Sequence, residues 1–419
     1  MALALAVLVV VALAAPVPAA AQSGVQLTPD GRRTLVNKDV GGERWAIDLG
    51  PDGTVTGNVF FPDGREPQFV WCDAPDGAEP DANGEIDFSC YGGDPCPSAP
   101  CPPEGWSFIA DVSLPRSFFE PSSAETGWTT LATLPVPRQE HPTLAFEDEI
   151  WIFGGYDDTI RNLATVDVYD PATDTWRTDV APMPTAMHHA NVAAVDGKIY
   201  VTGYLGPGNF VARGGVFAYD PDENDWTEKT SMPDGRQRGA SATVAIDGKI
   251  YVAGGLRSGT VADFSAYDPS TDRWETLPDM PRPLDHAGAA AVGGKLYVLG
   301  GRAAGIEGVS GAVLIYDPKA GTWSSGEEMP TARGGVAAAV AGGEIFVLGG
   351  EGNTDVETGV FDDVEAYDPE ADSWRVLPPM AAPRHGMGAA AIGRRIYVPG
   401  GASVQAFGVV DTFDVLAID

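Results

Sequence analysis

Six tryptophans pace the second part of this chain. Trp128, Trp176, Trp226, Trp274, Trp323 and Trp374 follow one another at intervals of 48, 50, 48, 49 and 51 residues. A period near 50 confines the fold to an array of repeated units, because a unit of that size cannot bury its apolar face alone. Ahead of each later Trp stands a Tyr-Asp-Pro turn, beginning at Tyr169, Tyr219, Tyr267, Tyr316 and Tyr367. Upstream, an apolar strand ends in a glycine pair: Gly154-Gly155, Gly254-Gly255, Gly300-Gly301, Gly349-Gly350 and Gly400-Gly401, with Gly203-Tyr204 as the departure. A hairpin turn such as Asp196-Gly197, Asp247-Gly248 or Gly293-Gly294 precedes that strand, after a small-residue strand such as Gly288 to Val292. Each repeat thus encodes four short antiparallel strands.

A strand crowded against an axis must carry small side chains, as Ala289-Ala290-Ala291, Ala337-Ala338-Ala339 and Ala389-Ala390-Ala391 do. Glycine pairs permit close backbone approach. The Tyr and Trp of the outer strands are large enough to fill the space between neighbouring sheets. Together these features resemble the kelch repeat family, and the resemblance covers the chain from Trp128 to its C-terminus. It implies an all-β propeller with one blade per repeat. The last repeat has its glycine pair at Gly400-Gly401 and a third strand near Asp411 to Ile418, but no Trp follows. Trp128 to Leu134 has no blade of its own, so it is expected to complete the last one, giving six blades.

The segment in front reads as a small antiparallel β module with strands at Trp45 to Leu49, Thr54 to Phe61, Gln68 to Cys72, Glu85 to Tyr91 and Gly105 to Leu114. All four cysteines, Cys72, Cys90, Cys96 and Cys101, fall here, and two disulfides with three possible connectivities are expected. A zinc site is the sharper alternative, but the set has no Cys-x-x-Cys pair and no nearby His. The apolar run Ala2 to Ala14, followed by Pro16, Pro18 and Ala19-Ala20-Ala21, has the outline of a secretory signal peptide. No Lys or Arg precedes it, so retention as an anchor is the alternative. The expected organisation is a signal peptide at 1–21, a cysteine-containing β module at 22–120 and a propeller at 121–419, exported, monomeric, and with no membrane span in the mature chain. A formal charge of −33, from 59 acidic and 26 basic residues, argues against nucleic-acid and anionic-membrane partners.

Residues just before a first strand and just after a second strand emerge on one face of a propeller. Arg138, His141, His188, His189, Arg238, His286, Arg333, Arg384 and His385 lie at the entries to first strands; Tyr156, Arg257, Arg302 and Glu351 follow the second. A basic ring containing Arg138, His141, His188, His189, Arg238, His286, Arg302, Arg333, Arg384 and His385 is a candidate site for a carboxylate, a sulfate or an acidic sugar. The alternative is that these side chains hydrogen-bond loop carbonyls of the next blade. No metal and no cofactor are expected, because residues from different blades start far apart and the neighbours His188 and His189 should point to opposite sides. The resemblance extends to galactose oxidase in fold only, since this propeller has no cysteine for its crosslinked cofactor. Function is therefore read as a binding scaffold for a protein or glycan. The alternative is a carbohydrate-active enzyme, similar to the six-bladed epimerase of N-acetylneuraminate, for which Glu140, Asp285 and Glu351 supply carboxylates.

Overall fold

The computed structural model describes the strands lying between Gly24 and Pro115 as backbone, and residues 127–206 and 210–418 with their side chains. The chain divides into two units, Met1–Ser122 and Ser123–Asp419. The signal segment expected at 1–21 lies outside the described residues.

The first unit holds a seven-stranded antiparallel meander in chain order: Gly24–Leu27, Arg33–Val40, Glu43–Leu49, Val55–Phe60, Gln68–Asp73, Glu85–Gly92 and Ser107–Pro115. Five of these match the expected strands. Gly24–Leu27 and Arg33–Val40 do not announce themselves, because Asn37-Lys38-Asp39 interrupts any apolar alternation. The register sets Cys72 directly opposite Cys90; Cys96 and Cys101 lie outside the described residues.

The second unit is a ring of six four-stranded antiparallel sheets. Blades 1 to 5 span 143–177, 192–229, 242–276, 288–325 and 337–377. Blade 6 takes Ala390–Ile392, Arg395–Pro399 and Phe413–Ala417 from the C-terminal end, and its outer strand is Trp128–Thr130, paired through Leu416↔Trp128. The closure read from Trp128 to Leu134 is therefore how the ring is built, with Trp128–Thr130 covering the outer edge of Phe413–Ala417.

Apolar side chains cluster between blades as well as within them: Ile150, Ile152 and Tyr169 of blade 1 pack on Tyr397, Phe413 and Val415 of blade 6. The repeating Trp also ties each blade to the one before it. Trp176, Trp226, Trp274, Trp323 and Trp374 donate their indole N–H to the carbonyls of Ala132, Ala181, Thr230, Pro278 and Glu327, at 2.9–3.0 Å. At each first glycine of the pair, an added Cβ would come closer than 3.0 Å to a backbone carbonyl of the segment entering the next blade: Met187, Arg238, Leu284, Arg333, Arg384 and, closing the circle, Arg138. Blade 2 dispenses with the second glycine because its strands Lys198–Gly206 and Val211–Asp220 run on past a register shift at Gly203, forming a hairpin longer than in other blades.

Candidate functional site

Where the chain enters each blade, one residue adopts a left-handed backbone: Glu140, His189, Ala240, His286, Gly335 and Gly386, with φ of 56°, 50°, 53°, 52°, 63° and 62°. Their peptides form a closed cycle. The N–H of each donates to the carbonyl of the equivalent residue in the preceding blade, at 2.5–3.1 Å, and Glu140 N–H returns to Gly386. Six hydrogen bonds thus encircle the axis. The residue before each ring member bridges to the residue after the second strand, as Gln139↔Tyr156, His188↔Leu205, Asp285↔Arg302, Gly334↔Glu351 and His385↔Ala402 do. These pairs form the wall of a mouth above the ring.

The candidate residues fall into separate groups. Arg138, Arg238, Arg333 and Arg384 stand two positions before the ring and are fully buried, at 0% exposure. Arg138, Arg333 and Arg384 pair with Asp167, Glu365 and Asp414 on the third strand of their own blade, and Arg238 donates to the Val252 carbonyl at 2.8 Å and to Ser265 Oγ at 3.4 Å. Burial lowers the pKa of Arg238 to about 10 and also lowers those of Arg138 and Arg384, against the opposing pull of Asp167 and Asp414. The arginines therefore brace blades, and a ligand at the mouth does not meet them. Their bonds run within their own blade, as with Gly154 for Arg138 and Gly349 for Arg333, where the alternative had placed acceptors on the next one. His141 is buried one position after the ring, and burial beside Arg138 lowers its pKa to about 3.

The other candidates meet at the mouth. His189 Nε2 lies 2.9 Å from Glu140 Oε2 and 2.8 Å from His286 Nε2. His286 Nδ1 is 2.5 Å from Asp285 Oδ1, which also accepts from Arg302 Nε at 3.3 Å. Arg302 reaches on to Glu351 Oε1 at 2.5 Å, and Glu351 Oε2 stands 3.5 Å from His385 Nδ1. On the other side His188 Nδ1 is 2.5 Å from His189 Nδ1, and its Nε2 is 2.9 Å from the Tyr156 hydroxyl. Burial, reinforced by His189, lowers the His188 pKa to about 3; burial and the charge of Arg302 lower that of His286. Burial opposes ionisation of Asp285, but the His286 hydrogen bond, Thr260 and Arg302 outweigh it and bring its pKa to about 2.

Two expectations are corrected here. With the four arginines withdrawn, Asp285 and Glu351 share Arg302 while Glu140 pairs with His189, so three carboxylates stand among histidines and a single guanidinium where a basic ring for an anion was expected. Side chains from blades 1, 2 and 4 also converge at the axis, and His188 and His189 touch, because the left-handed turn at His189 breaks the two-residue alternation. Glu140, central to the cluster, was named only as a carboxylate for the enzyme alternative. Phe210, which the sequence did not single out, packs over the group with ring centroids 5.2 Å from His188 and 5.6 Å from His189; Phe407 sits 6.0 Å from Tyr156.

The remaining cavity at the ring is about 160 Å³. A groove of about 550 Å³ lies at the opposite end of the blades, between blades 1 and 6, lined by Glu147, Asp148, Glu149 and Asp170 among turn residues; it gathers none of the mouth residues.

Comparisons with known proteins agree with the fold. The chain is similar to Kelch-like protein terF of Aspergillus terreus, 41% identical over 300 residues, which cover 66% of this chain and 65% of that protein. It is similar to Kelch-like protein 35 of Mus musculus, 35% identical over 43% of this chain and 30% of that protein, and to Beta-scruin of Limulus polyphemus, 30% identical over 42% and 20%. The chain thus spans less than two thirds of these relatives. A solved structure described as "Structure of YjhT" superposes with a TM-score of 0.55 at 19% identity, over 67% of this chain and 96% of that one, and shares the fold. The family profile described as the KLHDC2/KLHL20/DRC7 Kelch-repeats domain matches residues 118–280 and 232–401. With that match spanning more than half its length, this chain belongs to the kelch-repeat family.

Proposed function

We propose that this protein is an exported, monomeric scaffold whose propeller holds a protein partner on the loops around the acidic mouth. The observation that carries the reading is where exposed apolar surface lies. Among the described residues, Ile160, Phe210, Val211, Val356, Val404 and Phe407 are exposed large apolar side chains, and all sit between the second and third strands of blades 1, 2, 5 and 6 or, for Val211, at the first residue of the third. The remaining one, Val376, lies on an outer strand. Contacts link these loops: Phe210 and Phe407 both meet Tyr156, and Gln405 N–H donates to the Thr358 carbonyl at 2.8 Å. An apolar crescent beside a polar mouth suits a protein surface.

A glycan fits less well, because the polar groups of the mouth are engaged with one another and four of the six crescent residues are aliphatic. The cavity of about 160 Å³ is below the range of about 300–1,000 Å³ usual for small-molecule sites. It gives the enzyme alternative no support. Export rests on the apolar N-terminal run, and N-terminal sequencing of the mature protein should begin at Gln22.

The docking surface is tested by placing a photoreactive amino acid at Phe407 or at Val376 and irradiating in the native extracellular fraction. The expected result is a defined protein adduct from position 407 and none from 376. Equal labelling, or labelling from 376 alone, would remove the loop face from the proposal.

A further inference from the structure

Glu140, His189 and His286 occupy three of the six positions of the hydrogen-bonded ring, so their backbones are pinned around the axis. One ligand atom from each lies within 4.8 Å of the others. The two Nε2 atoms face each other at 2.8 Å, with Glu140 Oε2 at 2.9 Å from that of His189. Each pair can share a proton, but three electron-pair donors converging on one point is also the arrangement that a cation requires. We propose that Glu140, His189 and His286 form a site for a divalent first-row transition metal ion at the axis of the propeller mouth.

The surroundings favour this over a chance meeting. Asp285 Oδ1, 2.5 Å from His286 Nδ1, holds the proton on that nitrogen and turns the Nε2 lone pair inward, as outer carboxylates do for metal-bound histidines. Asp285 is itself held by Thr260 and Arg302. His189 is oriented through its Nδ1 by His188, and His188 by the Tyr156 hydroxyl. Gly386 leaves the space that Glu140 uses, since a Cβ there would stand 2.8 Å from Glu140 Oε1. Three carboxylates gather here with one guanidinium, Asp285 and Glu351 sharing Arg302 and Glu140 lying against His189, a local charge that attracts a cation. Two imidazoles with one carboxylate suit zinc, iron(II) or cobalt(II) and not calcium or magnesium, which take oxygen ligands. The cavity of about 160 Å³, bordered by Ala240 and Gly335, leaves room for water in the remaining coordination positions. The site is independent of the partner proposed above.

Zn²⁺ and Co²⁺ titrations of the EDTA-treated full chain, followed by calorimetry and visible absorption, test the proposal. The expected result is one ion bound with imidazole-ligated cobalt bands. Binding should weaken at least tenfold in Glu140→Gln, His189→Gln and His286→Gln, and 10- to 100-fold in Asp285→Asn, as removing an outer partner does elsewhere. No binding by the wild-type chain, or unchanged binding in the histidine variants, would overturn it. Should a histidine variant fail to fold, the wild-type cobalt spectrum decides: thiolate charge-transfer absorption would move the ion to the cysteines and overturn the site.

Discussion

His141 and His188 are bases kept neutral by burial, and that sets how the propeller responds to acid. Unfolded, each takes up a proton near pH 6.5; folded, each resists until about pH 3. Between those values the unfolded chain binds more protons, so stability falls as pH drops below 6.5. Asp285 acts in the same direction at lower pH, since its folded pKa of about 2 lies below its ordinary value of 3.8. At pH 4.5 each histidine should cost on the order of 2–3 kcal/mol relative to pH 7. Urea unfolding at the two pH values should show that loss, and His141→Gln should reduce it by about one histidine's share. A pH dependence identical in variant and wild type would mean that burial of His141 does not govern it.

Between strands, the six blades use two interchangeable solutions. Where the entry segment carries Arg138, Arg238, Arg333 or Arg384, the third strand of that blade carries Asp167, Ser265, Glu365 or Asp414 at the matching register; where it carries Met187 or Leu284, the third strand has Phe217 or Leu314. Arg333→Ala should destabilise by about 3–5 kcal/mol, because it strands Glu365 in the interior. Arg333→Met with Glu365→Leu should recover most of that loss by copying blades 2 and 4, as measured by denaturant unfolding. A double variant as unstable as the single one would contradict this exchange. In the N-terminal sheet, opposed strand positions have Cα separations within the disulfide range, so peptide mapping should find Cys72 joined to Cys90. Any other partner for Cys72 would refute that register.

These elements also show what a sequence can reveal. Strands, glycine pairs and Trp ties were legible because each arises from local spacing repeated in successive blades. Which of Arg138, Gln139 and Glu140 faces the axis was not, since that depends on the left-handed turn at Glu140, held by the Gly386 carbonyl of another blade. The role of the arginines was hidden for a related reason: their partners lie 27–32 residues away, on strands whose register only the folded blade fixes.

At the scale of the whole molecule, the mouth exists only if the ring is closed. Trp128–Thr130 supplies the outer strand of blade 6, Leu131 and Leu134 N–H donate to Phe413 and Asp411, and Gly401 N–H donates to Arg138. The six-peptide cycle that positions Glu140, His189 and His286 spans the same junction between blades 6 and 1. Thermal unfolding of the chain lacking Gly127 to Pro135 is therefore the most direct test of the closed propeller. Closure predicts that removal lowers Tm by more than 10 °C, well beyond the shift of about 2–4 °C per kcal/mol expected at this size, and that cooperativity falls with it. A variant that unfolds in one transition at the wild-type Tm would contradict closure, and with it the ring on which the mouth depends.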